Sequence, residues 1–371
     1  MIGWEQAADK LIKVLNKAGY EAYIVGGAVR DRILQRPVKD IDLTTNASIE
    51  SVQQLFPHHI DVGAKHGTVL VQKSGNRSPG SIEEDLSLRD YTINAMAINS
   101  EGVLIDPFDG KKDLHHKVLK VVNHCKKRLT EDPLRSLRGV RFSLHYDLQF
   151  DPFTKSLIDS TAPMINQIAV ERIRSELDKI ASEHLSKEKV SVLIHSSVIQ
   201  QLPHFFSNKS EWLNKIQTYK MPFSIDRPLE LWLMATIENR NSHAFHYYRC
   251  SNKLKKEAIH LTKAFHDLIH REWTNELVYR IGYKNIPIIE KLRALWLGEE
   301  KKVSDVYTIY GLLPIKNRQE LVINGKDIVS FFPNIRGSLI GEYLRNIEHA
   351  VVNQEVKNNK NDIFEWLKRR V

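Results

Sequence analysis

Two aspartates separated by one residue, Asp40 and Asp42, lie in the segment DIDLTT, whose alternation is typical of a short strand. Side chains two apart on a strand point to the same face, so these carboxylates repel each other unless a cation lies between them. The pair therefore predicts a Mg²⁺ site. Two metal ions there would activate a 3′-hydroxyl and steady a leaving pyrophosphate. Taken alone, the pair is also compatible with an ordinary surface strand.

A Gly-Gly turn precedes the aspartates. Gly26 and Gly27 lie between EAYIV and AVRDRIL, which predict a buried strand and a helix. Such a turn exposes backbone N–H groups that bind phosphate oxygens. Arg30, one turn later, is placed to meet a phosphate, and Asp31 to pair with it. With the aspartates, the turn predicts a metal–triphosphate site; the alternative is a structural turn with an ion pair.

The elements that must position these residues are mixed at first and helical later. Residues 4–18 carry Ala7, Leu11, Val14 and Leu15 at helical spacing, and VLIDPFDG predicts a strand ending in a turn. From about residue 125 onward the periodicity is helical, and no β-rich run of any length returns. The sequence therefore predicts a small mixed α/β region followed by an all-helical remainder.

Composition and charge narrow the class of protein. The 371 residues include 54 Lys and Arg against 45 Asp and Glu, a net charge of +9 that is typical of proteins handling polyanions and also of ordinary soluble proteins. Two distant cysteines exclude a disulfide framework and a cysteine-based zinc site. No apolar run approaches the ~20 residues that span a bilayer, and the N-terminus is unlike a signal peptide. We expect a cytoplasmic protein without a membrane partner.

Several segments, in order, resemble one enzyme family. IVGGAVRDRILQRPVKDIDLTT resembles the first motif of the DNA polymerase beta nucleotidyltransferase superfamily, in its tRNA nucleotidyltransferase and bacterial poly(A) polymerase branch. The segments that match the rest of that branch are IDVGAKHGTVLV, LRDYTINAMAI, LIDPFDGKKDL, RLTEDPLRSLRGVRF, VERIRSEL and LPIKNRQELVINGKDI. The resemblance covers nearly the whole chain.

The resemblance implies a class II enzyme of α+β fold. A small mixed α/β nucleotidyltransferase head would be followed by an all-helical neck, body and tail in an elongated, seahorse-like molecule. We expect the catalytic head at 1–120, the base-recognition neck at 121–180, the tRNA-binding body at 181–290 and the tRNA-binding tail at 291–371.

The resemblance assigns roles in the head and neck. Arg89, Asp90 and Asn94, in LRDYTINAMAI, would contact the ribose 2′-hydroxyl or the triphosphate. The alternative for Arg89 and Asp90 is a local ion pair. In the neck, Asp132 and Arg135 are expected three apart on one helix, sharing a face. There the carboxylate would accept from the cytosine amino group and the guanidinium would donate to its ring.

Other residues have supporting roles in this prediction. Glu131 would hold the helix turn, Arg138 would help to hold nucleotide or phosphate, and Arg141 continues the basic stripe. An alternative is that the acidic residues only open a helix near Pro133. Basic residues of the body and tail would bind the tRNA backbone nonspecifically, namely Lys253, Lys255, Lys256, Lys316 and Arg318. The segment 324–327 is expected to open a helix that binds a phosphate.

One stretch is short compared with the family pattern. Only QKSGNRSPGSI separates the strand after HGT from the acidic residues Glu83, Glu84 and Asp85. Relatives that add CCA carry here another strand, with a third carboxylate, and a flexible loop. Loss of that loop is associated with enzymes that stop after two cytidines. One of the three acidic residues would then have to replace the missing carboxylate, or Asp40 and Asp42 would have to hold both metals.

These observations predict an Mg²⁺-dependent, template-independent RNA nucleotidyltransferase. It would add CC from CTP to tRNA lacking its 3′ CCA end, with a separate A-adding enzyme as partner. If the natural protein carries a longer segment after residue 72, full CCA addition from CTP and ATP is the alternative. Poly(A) polymerase is a weaker alternative. An RNA-binding protein with an inactive head is disfavoured because Asp40 and Asp42 are both present.

Overall fold

The computed structural model describes residues 2–56, 69–72, 81–124, 126–206, 208–237, 243–333 and 337–370. The chain forms two compact units, Met1–Glu183 with His195–Leu202, and His184–Ile194 with Pro203–Val371. Most of the IDVGAKHGTVLV segment and the short stretch 73–80 lie outside the described residues. Among the helices that are described, none is both long and apolar enough to cross a bilayer.

A small mixed sheet forms the centre of the first unit. Its strands are β1 (Ala22–Val25), β2 (Ile41–Thr45), β3 (Val69–Gln72), β4 (Ala97–Ile98) and β5 (Leu104–Ile105). They lie in the order β3-β2-β1-β4-β5, and only β2 and β3 run parallel. The β-branched and aliphatic residues of EAYIV and DIDLTT favour strands, and consecutive residues are buried in each; Ile24, Val25, Ile41 and Leu43 are at most 2% exposed.

Five short or medium helices accompany this sheet. They are α1 (Ile2–Lys17), α2 (Gly27–Ile33), α3 (Ile49–Leu55), α4 (Ile82–Ser87) and α5 (Gly110–His115). The helix predicted at residues 4–18 is present, but its buried stripe is Ala8, Ile12 and Leu15. Val14, predicted to be on that stripe, is 38% exposed, because 3.6 residues per turn carry it past the edge of the packed face.

The rest of the first unit is helical. Its helices are α6 (Lys126–Glu131), α7 (Leu134–Tyr146), α8 (Pro152–Thr161), α9 (Val170–Ile180) and, later in the chain, α11 (Ser197–Gln200). The intervening helix α10 (Lys187–His195) lies mainly in the second unit. One parallel pair of two-residue strands, β6 (Val118–Leu119) and β7 (Gln149–Phe150), interrupts the helices. Short 3-10 helices lie at Thr92–Asn94, Val122–His124 and Ala162–Gln167.

The second unit is almost entirely helical where it is described. Its further helices are α12 (Lys209–Thr218), α13 (Pro228–Thr236), α14 (His243–Tyr247), α15 (Asn252–Leu268), α16 (Asn275–Ile281), α17 (Ile286–Leu297), α18 (Val303–Leu312), α19 (Gly325–Phe331), α20 (Gly337–Val352) and α21 (Lys360–Lys368), with a 3-10 turn at Arg318–Glu320. β8 (Leu185–Ser186) and β9 (Ser224–Ile225) pair antiparallel. A mixed head followed by helices confirms the predicted α+β class.

A close approach between α7 and the sheet region fixes the core of the first unit. Tyr91 is fully buried, its ring meets Phe142 edge-on at 5.9 Å, and its hydroxyl donates to the Arg135 carbonyl oxygen at 2.8 Å. Gly139 lies directly over this ring: a Cβ at that position would stand 2.1 Å from the Tyr91 hydroxyl oxygen. Only a residue without a side chain allows α7 to approach so closely.

Gly139→Ala is therefore expected to force α7 away from Tyr91 and to destabilise the first unit by about 2 kcal/mol, as overpacked cores do. Thermal unfolding followed by circular dichroism should shift to lower temperature. Gly311→Ala is the control, because a Cβ at Gly311 in α18 would meet open space and alanine is the better helix former. A Gly139→Ala protein that melts like the wild type would contradict this packing.

Candidate active site

The register of β1 and β2 brings the Gly-Gly turn beside the aspartates. Val25, the last residue of β1, pairs with Asp42 of β2, so the turn that starts at Gly26 lies next to that carboxylate. The sequence predicted both aspartates within the strand, but β2 begins at Ile41, and Asp40 lies just before it. Asp40 is exposed and Asp42 is partly buried.

Electrostatics couple the two carboxylates. Burial and the negative charge of Asp40 raise the pKa of Asp42 above its ordinary value, and the positive charge of Arg89 only partly offsets this. Repulsion between two such groups is what a bound divalent cation relieves. In the part of the chain that the structure describes, no three His, Cys, Asp or Glu side chains converge on a point suited to a metal. Because Mg²⁺ binds through one or two carboxylates plus substrate phosphates and water, this pair fits such an ion.

The turn at Gly26 has a conformation that only glycine adopts easily. Its φ of 70° and ψ of −129° lie outside the regions open to L side chains, and a Cβ would stand 2.9 Å from Arg89 Nη1. Gly26 is the N-cap of α2 and has no side chain to occupy the first N–H groups of the helix. The first amides of α2 therefore have no side-chain cap.

Helix α19 shows the opposite arrangement. The segment 324–327 opens this helix as predicted, but the Asn324 side chain accepts from the N–H groups of Lys326 and Asp327, at 2.9 and 3.4 Å. The Asp327 side chain in turn accepts from the Asn324 N–H at 2.9 Å. This capping box occupies the donors that a phosphate would need.

Arg89 links the aspartate pair to a third carboxylate. Its Nη2 donates to Asp85 Oδ2 at 3.1 Å, and its charge acts on Asp42. Of the three acidic residues that were considered as replacements for a missing carboxylate, Asp85 is therefore the one connected to the site. Glu83 and Glu84 are exposed in the first turn of α4.

Four residues predicted to bind the substrate form one hydrogen-bond chain inside the protein, called here the buried chain: Arg30, Asn94, Asp90 and Arg138. Arg30 Nη1 donates to Asn94 Oδ1 at 2.6 Å, and Asn94 Nδ2 donates to Asp90 Oδ1 at 3.2 Å. Arg138 donates from Nε and Nη2 to Asp90 Oδ2, at 2.8 and 2.7 Å. The buried chain thus joins α2, the 3-10 turn after Tyr91, and α7.

Asp90 is an ionised group in the interior. It is 5% exposed, and burial alone would raise its pKa. The Arg138 guanidinium, the Asn94 amide and the Tyr91 N–H outweigh burial and hold the pKa of Asp90 below its ordinary value of 3.8. Loss of this counter-charge would leave an isolated buried carboxylate, which is strongly destabilising.

Aromatic residues of α7 extend the same contact toward α2. The Arg30 guanidinium lies 4.3 Å from the Tyr146 ring centre and 5.4 Å from that of Phe142. The Tyr146 hydroxyl donates to Asp31 Oδ1 at 3.1 Å, and burial together with the Asp31 carboxylate raises the pKa of Tyr146 to about 12. Arg138, Phe142 and Tyr146 follow one another at four-residue spacing, so they present one face of α7 to the head.

The base-reading pair is arranged differently from the prediction. Asp132 and Arg135 were expected on one helix, but α6 ends at Glu131 and α7 begins at Leu134. Pro133 explains the break, since a proline disfavours helical backbone at the residue before it. The two residues remain neighbours, because the Arg135 N–H donates to the Asp132 carbonyl oxygen at 3.0 Å.

One polar atom of each member of this pair has no hydrogen-bond partner among the described residues. Asp132 Oδ1 and Arg135 Nη1 are both buried and unpaired. Buried polar groups are nearly always satisfied, so this acceptor and this donor, a few residues apart, are open to hydrogen bonds from outside the described residues. The other oxygen of Asp132, Oδ2, accepts from Arg172 Nη2 in α9 at 2.8 Å.

Glu131 and Arg141 make contacts within the protein. Glu131 pairs with Lys127 and Arg128 of its own helix, at 3.6 and 3.3 Å. Arg141 Nε donates to the buried Glu176 at 2.8 Å, which ties α7 to α9. Although burial raises the pKa of Glu176, the Arg141 and Lys179 charges hold it below the ordinary value of 4.5.

Three residues of this region were not assigned from the sequence: Tyr91, Tyr146 and Arg172. The four-residue spacing of Arg138, Phe142 and Tyr146 is a signal that would have found Tyr146. Arg172 lies in VERIRSEL, where the sequence predicted only a helix. Its partner Asp132 is 40 positions away, so no local pattern points to the contact.

Family models match most of the chain. "Poly A polymerase head domain" matches residues 22–78 and 71–120, "Probable RNA and SrmB-binding site of polymerase A" matches 147–208, and "tRNA nucleotidyltransferase domain 2 putative" matches 229–367. A mixed sheet with a Gly-Gly turn beside two carboxylates, followed by helices, together with these matches, defines a nucleotidyltransferase.

Similarity to whole proteins shows which family of nucleotidyltransferases the chain resembles. The chain is 35% identical to the CCA-adding enzyme of Geobacillus thermodenitrificans, over 98% of this chain and 97% of that protein. It is 33% identical to that of Bacillus mycoides, over 98% of each. The crystal structure of the Bacillus stearothermophilus CCA-adding enzyme with CTP matches with a TM-score of 0.80 at 33% identity, over 100% of this chain and 98% of that one. The chain belongs to the class II tRNA nucleotidyltransferase family.

Arg138→Met should leave Asp90 buried without its counter-charge and destabilise the protein by about 3 kcal/mol at pH 7. In the wild type the pKa of Asp90 is lower in the folded than in the unfolded protein. The ionised carboxylate therefore contributes to the free energy of unfolding above about pH 4, and this contribution is lost as the pH falls through the pKa of the folded state. In the variant only the Asn94 amide and the Tyr91 N–H oppose burial, so the pKa of Asp90 lies above its wild-type value and protonation costs the folded state less. The difference in free energy of unfolding between the wild type and the variant, measured by urea unfolding, should therefore be smaller at pH 4 than at pH 7.

Arg141→Met is the control in the same helix. Its partner Glu176 keeps a second cation, Lys179, at 2.9 Å, so the loss of stability should be clearly smaller. A deficit for Arg138→Met that is the same at both pH values would contradict the role of Asp90.

Proposed function

We propose that this tRNA nucleotidyltransferase adds two cytidines from CTP to tRNA that lacks its 3′ end, releasing pyrophosphate. The observation that carries base selection is the unpaired buried atoms of Asp132 and Arg135. A carboxylate oxygen accepts from the cytosine amino group, and a guanidinium N–H donates to the ring carbonyl or nitrogen. The pair thus complements cytosine without a nucleic-acid template.

The catalytic centre of the proposal is the aspartate pair. Asp40 and Asp42 would hold Mg²⁺, which would lower the pKa of the attacking 3′-hydroxyl and neutralise charge on the leaving pyrophosphate. The repulsion that raises the Asp42 pKa supports this assignment. The uncapped amides after Gly26 would bind the triphosphate beside the pair, and Arg89 would contribute positive charge there.

The ribose and phosphate roles of the buried chain are proposed as indirect. Asp90 and Asn94 are each 5% exposed and Arg30 is 6% exposed. Their hydrogen bonds to one another and to Arg138 support a role in holding α7 at a set angle to the phosphate-binding turn. Arg89, which is only partly buried, is the member of the LRDYTINAMAI motif best placed to meet the nucleotide directly.

The tRNA would contact basic residues of the helical part of the chain. Lys253 and Lys256, both exposed on α15, are suited to phosphate contacts. Lys316 is less suited, because its ammonium group donates to the Tyr310, Gly311 and Leu313 carbonyl oxygens at the end of α18. Arg318 lies 3.8 Å from Glu348 and also has a partner within the protein.

Two features bear on whether the enzyme stops after two cytidines. The sequence between β3 and α4 is too short to include the flexible loop that would re-angle the base-reading residues for ATP. The contacts of Arg138, Phe142 and Tyr146 hold α7 against the head. Full CCA addition is the second candidate, because relatives that match nearly the whole chain carry the name CCA-adding enzyme. The Bacillus mycoides alignment spans 389 positions, more than the 371 residues of this chain, so that relative has residues this chain lacks.

Product length distinguishes the candidates. Purified protein with Mg²⁺ and tRNA transcripts lacking CCA should extend them by two residues with CTP, whether or not ATP is present. Transcripts that already end in CC serve as the control and should not be extended by ATP. A third residue added from ATP would reject the CC proposal in favour of CCA addition, and a long tail from ATP alone would indicate poly(A) synthesis.

Asp40→Ala combined with Asp42→Ala should abolish incorporation, by at least about a thousandfold as expected for loss of metal ligands, while tRNA binding measured by filter retention stays within about twofold. Glu101→Gln, which removes an exposed charge in a turn of the same unit, is the control and should keep full activity. Retained incorporation in the double variant, or loss of tRNA binding alone, would reject the metal role.

A further inference from the structure

We infer that Arg172 is a positioning residue for nucleotide choice: it orients the Asp132 carboxylate so that one oxygen faces the base as an acceptor. This inference rests on the proposed base-reading role of Asp132 and Arg135. It adds a residue of a different helix, and of a segment with no assigned function, to the selection of cytosine over uracil.

The geometry divides the two oxygens of Asp132 between protein and ligand. Arg172 Nη2, in the first turn of α9, donates to Oδ2 at 2.8 Å. Oδ1 is buried and has no partner among the described residues. Since Arg172 holds one oxygen, rotation of the carboxylate is restricted and the other oxygen keeps its direction.

The surroundings of Asp132 explain why such a contact is needed. Asp132 lies in the break between α6 and α7, where regular helical packing does not restrain its side chain. Ordering a free side chain when a ligand binds lowers affinity, and a contact already made in the free protein removes that cost. A carboxylate accepts hydrogen bonds and donates none.

The restricted rotation of the Asp132 carboxylate would allow the site to distinguish cytosine from uracil. Cytosine presents an amino donor at position 4 and an acceptor at ring position 3, which match the Asp132 acceptor and the Arg135 donor. Uracil presents a carbonyl oxygen and an N–H at these positions, so acceptor faces acceptor and donor faces donor. A carboxylate that is free to rotate could turn its acceptor away from the uracil oxygen and so tolerate uracil. Arg172 opposes this rotation and so excludes uracil.

A purely structural role is the competing explanation. Arg172 is 52% exposed at its side chain, and exposed ion pairs contribute little to stability. Helix α9 is already attached to α7 by the Arg141–Glu176 pair and by the buried side chains of Ile173 and Leu177. Loss of the Arg172 contact is therefore expected to leave folding intact.

Arg172→Gln tests the inference. The ratio of kcat/KM for CTP to that for UTP, measured for the first addition to tRNA lacking CCA, should fall about tenfold, as for one misdirected hydrogen bond, while the melting temperature is unchanged. Arg172→Lys should restore part of the ratio because it keeps the charge. Lys155→Gln is the matched control: Lys155 of α8 is also 52% exposed and pairs with Asp159, away from Asp132, so its loss should not change the ratio.

A second comparison asks whether Arg172 acts through Asp132. In an Asp132→Ala background, Arg172→Gln should cause no further loss of the CTP-to-UTP ratio. Independent, multiplying losses would overturn the inference, as would an unchanged ratio in Arg172→Gln alone. If instead the Asp132→Ala variant is active and keeps the wild-type CTP-to-UTP ratio, Asp132 does not read the base and the proposed base-reading role is wrong. That outcome is distinct from one in which Asp132 reads the base but Arg172 does not position it.

Discussion

The carboxylate of Asp90 determines much of the organisation of the catalytic unit. A charge that is 5% exposed is tolerated only if fixed partners replace the lost water, and here Arg138, Asn94 and the Tyr91 N–H do so. Arg30 extends this hydrogen-bond chain from Asn94. The bonds that satisfy one buried charge therefore fix the positions of α7, the turn after Tyr91 and α2 relative to one another. The turn at Gly26 and the residues proposed to read the base, Asp132 and Arg135, adjoin these same elements.

Satisfied and unsatisfied polar groups are separated in space within this unit. Among the described residues, the members of the buried chain hydrogen-bond to one another, while Asp132 Oδ1 and Arg135 Nη1, beside the start of α7, have no partner. Such a contrast is expected of a site built for recognition, because precise hydrogen bonding to a ligand requires side chains whose own positions are fixed by others. In the proposed function, selection of the base would depend on geometry that exists before the nucleotide arrives.

Sequence reasoning recovered the local features of this molecule well. The strands around Gly26 and Asp42, the helix after the turn, the helical remainder and the helix opening at Asn324 were all expected from periodicity and turn residues. It was wrong where a local rule competed with another: Asp132 and Arg135 have the spacing of one helix, yet Pro133 breaks it. The buried face of α1 was also misplaced, since spacing alone does not say which side meets the core.

The type and spacing of residues, together with the resemblance to one family, were sufficient to predict a metal-dependent nucleotidyltransferase with its aspartate pair and glycine turn. Whether a given polar residue turns toward a ligand or toward another side chain was decided by the tertiary structure. Arg138 meets Asp90 across 48 positions, Arg30 meets Asn94 across 64, and Arg172 meets Asp132 across 40. Such partners are brought together only when the core is packed, and for the buried Asp90 and Asn94 burial then makes the hydrogen bonds obligatory.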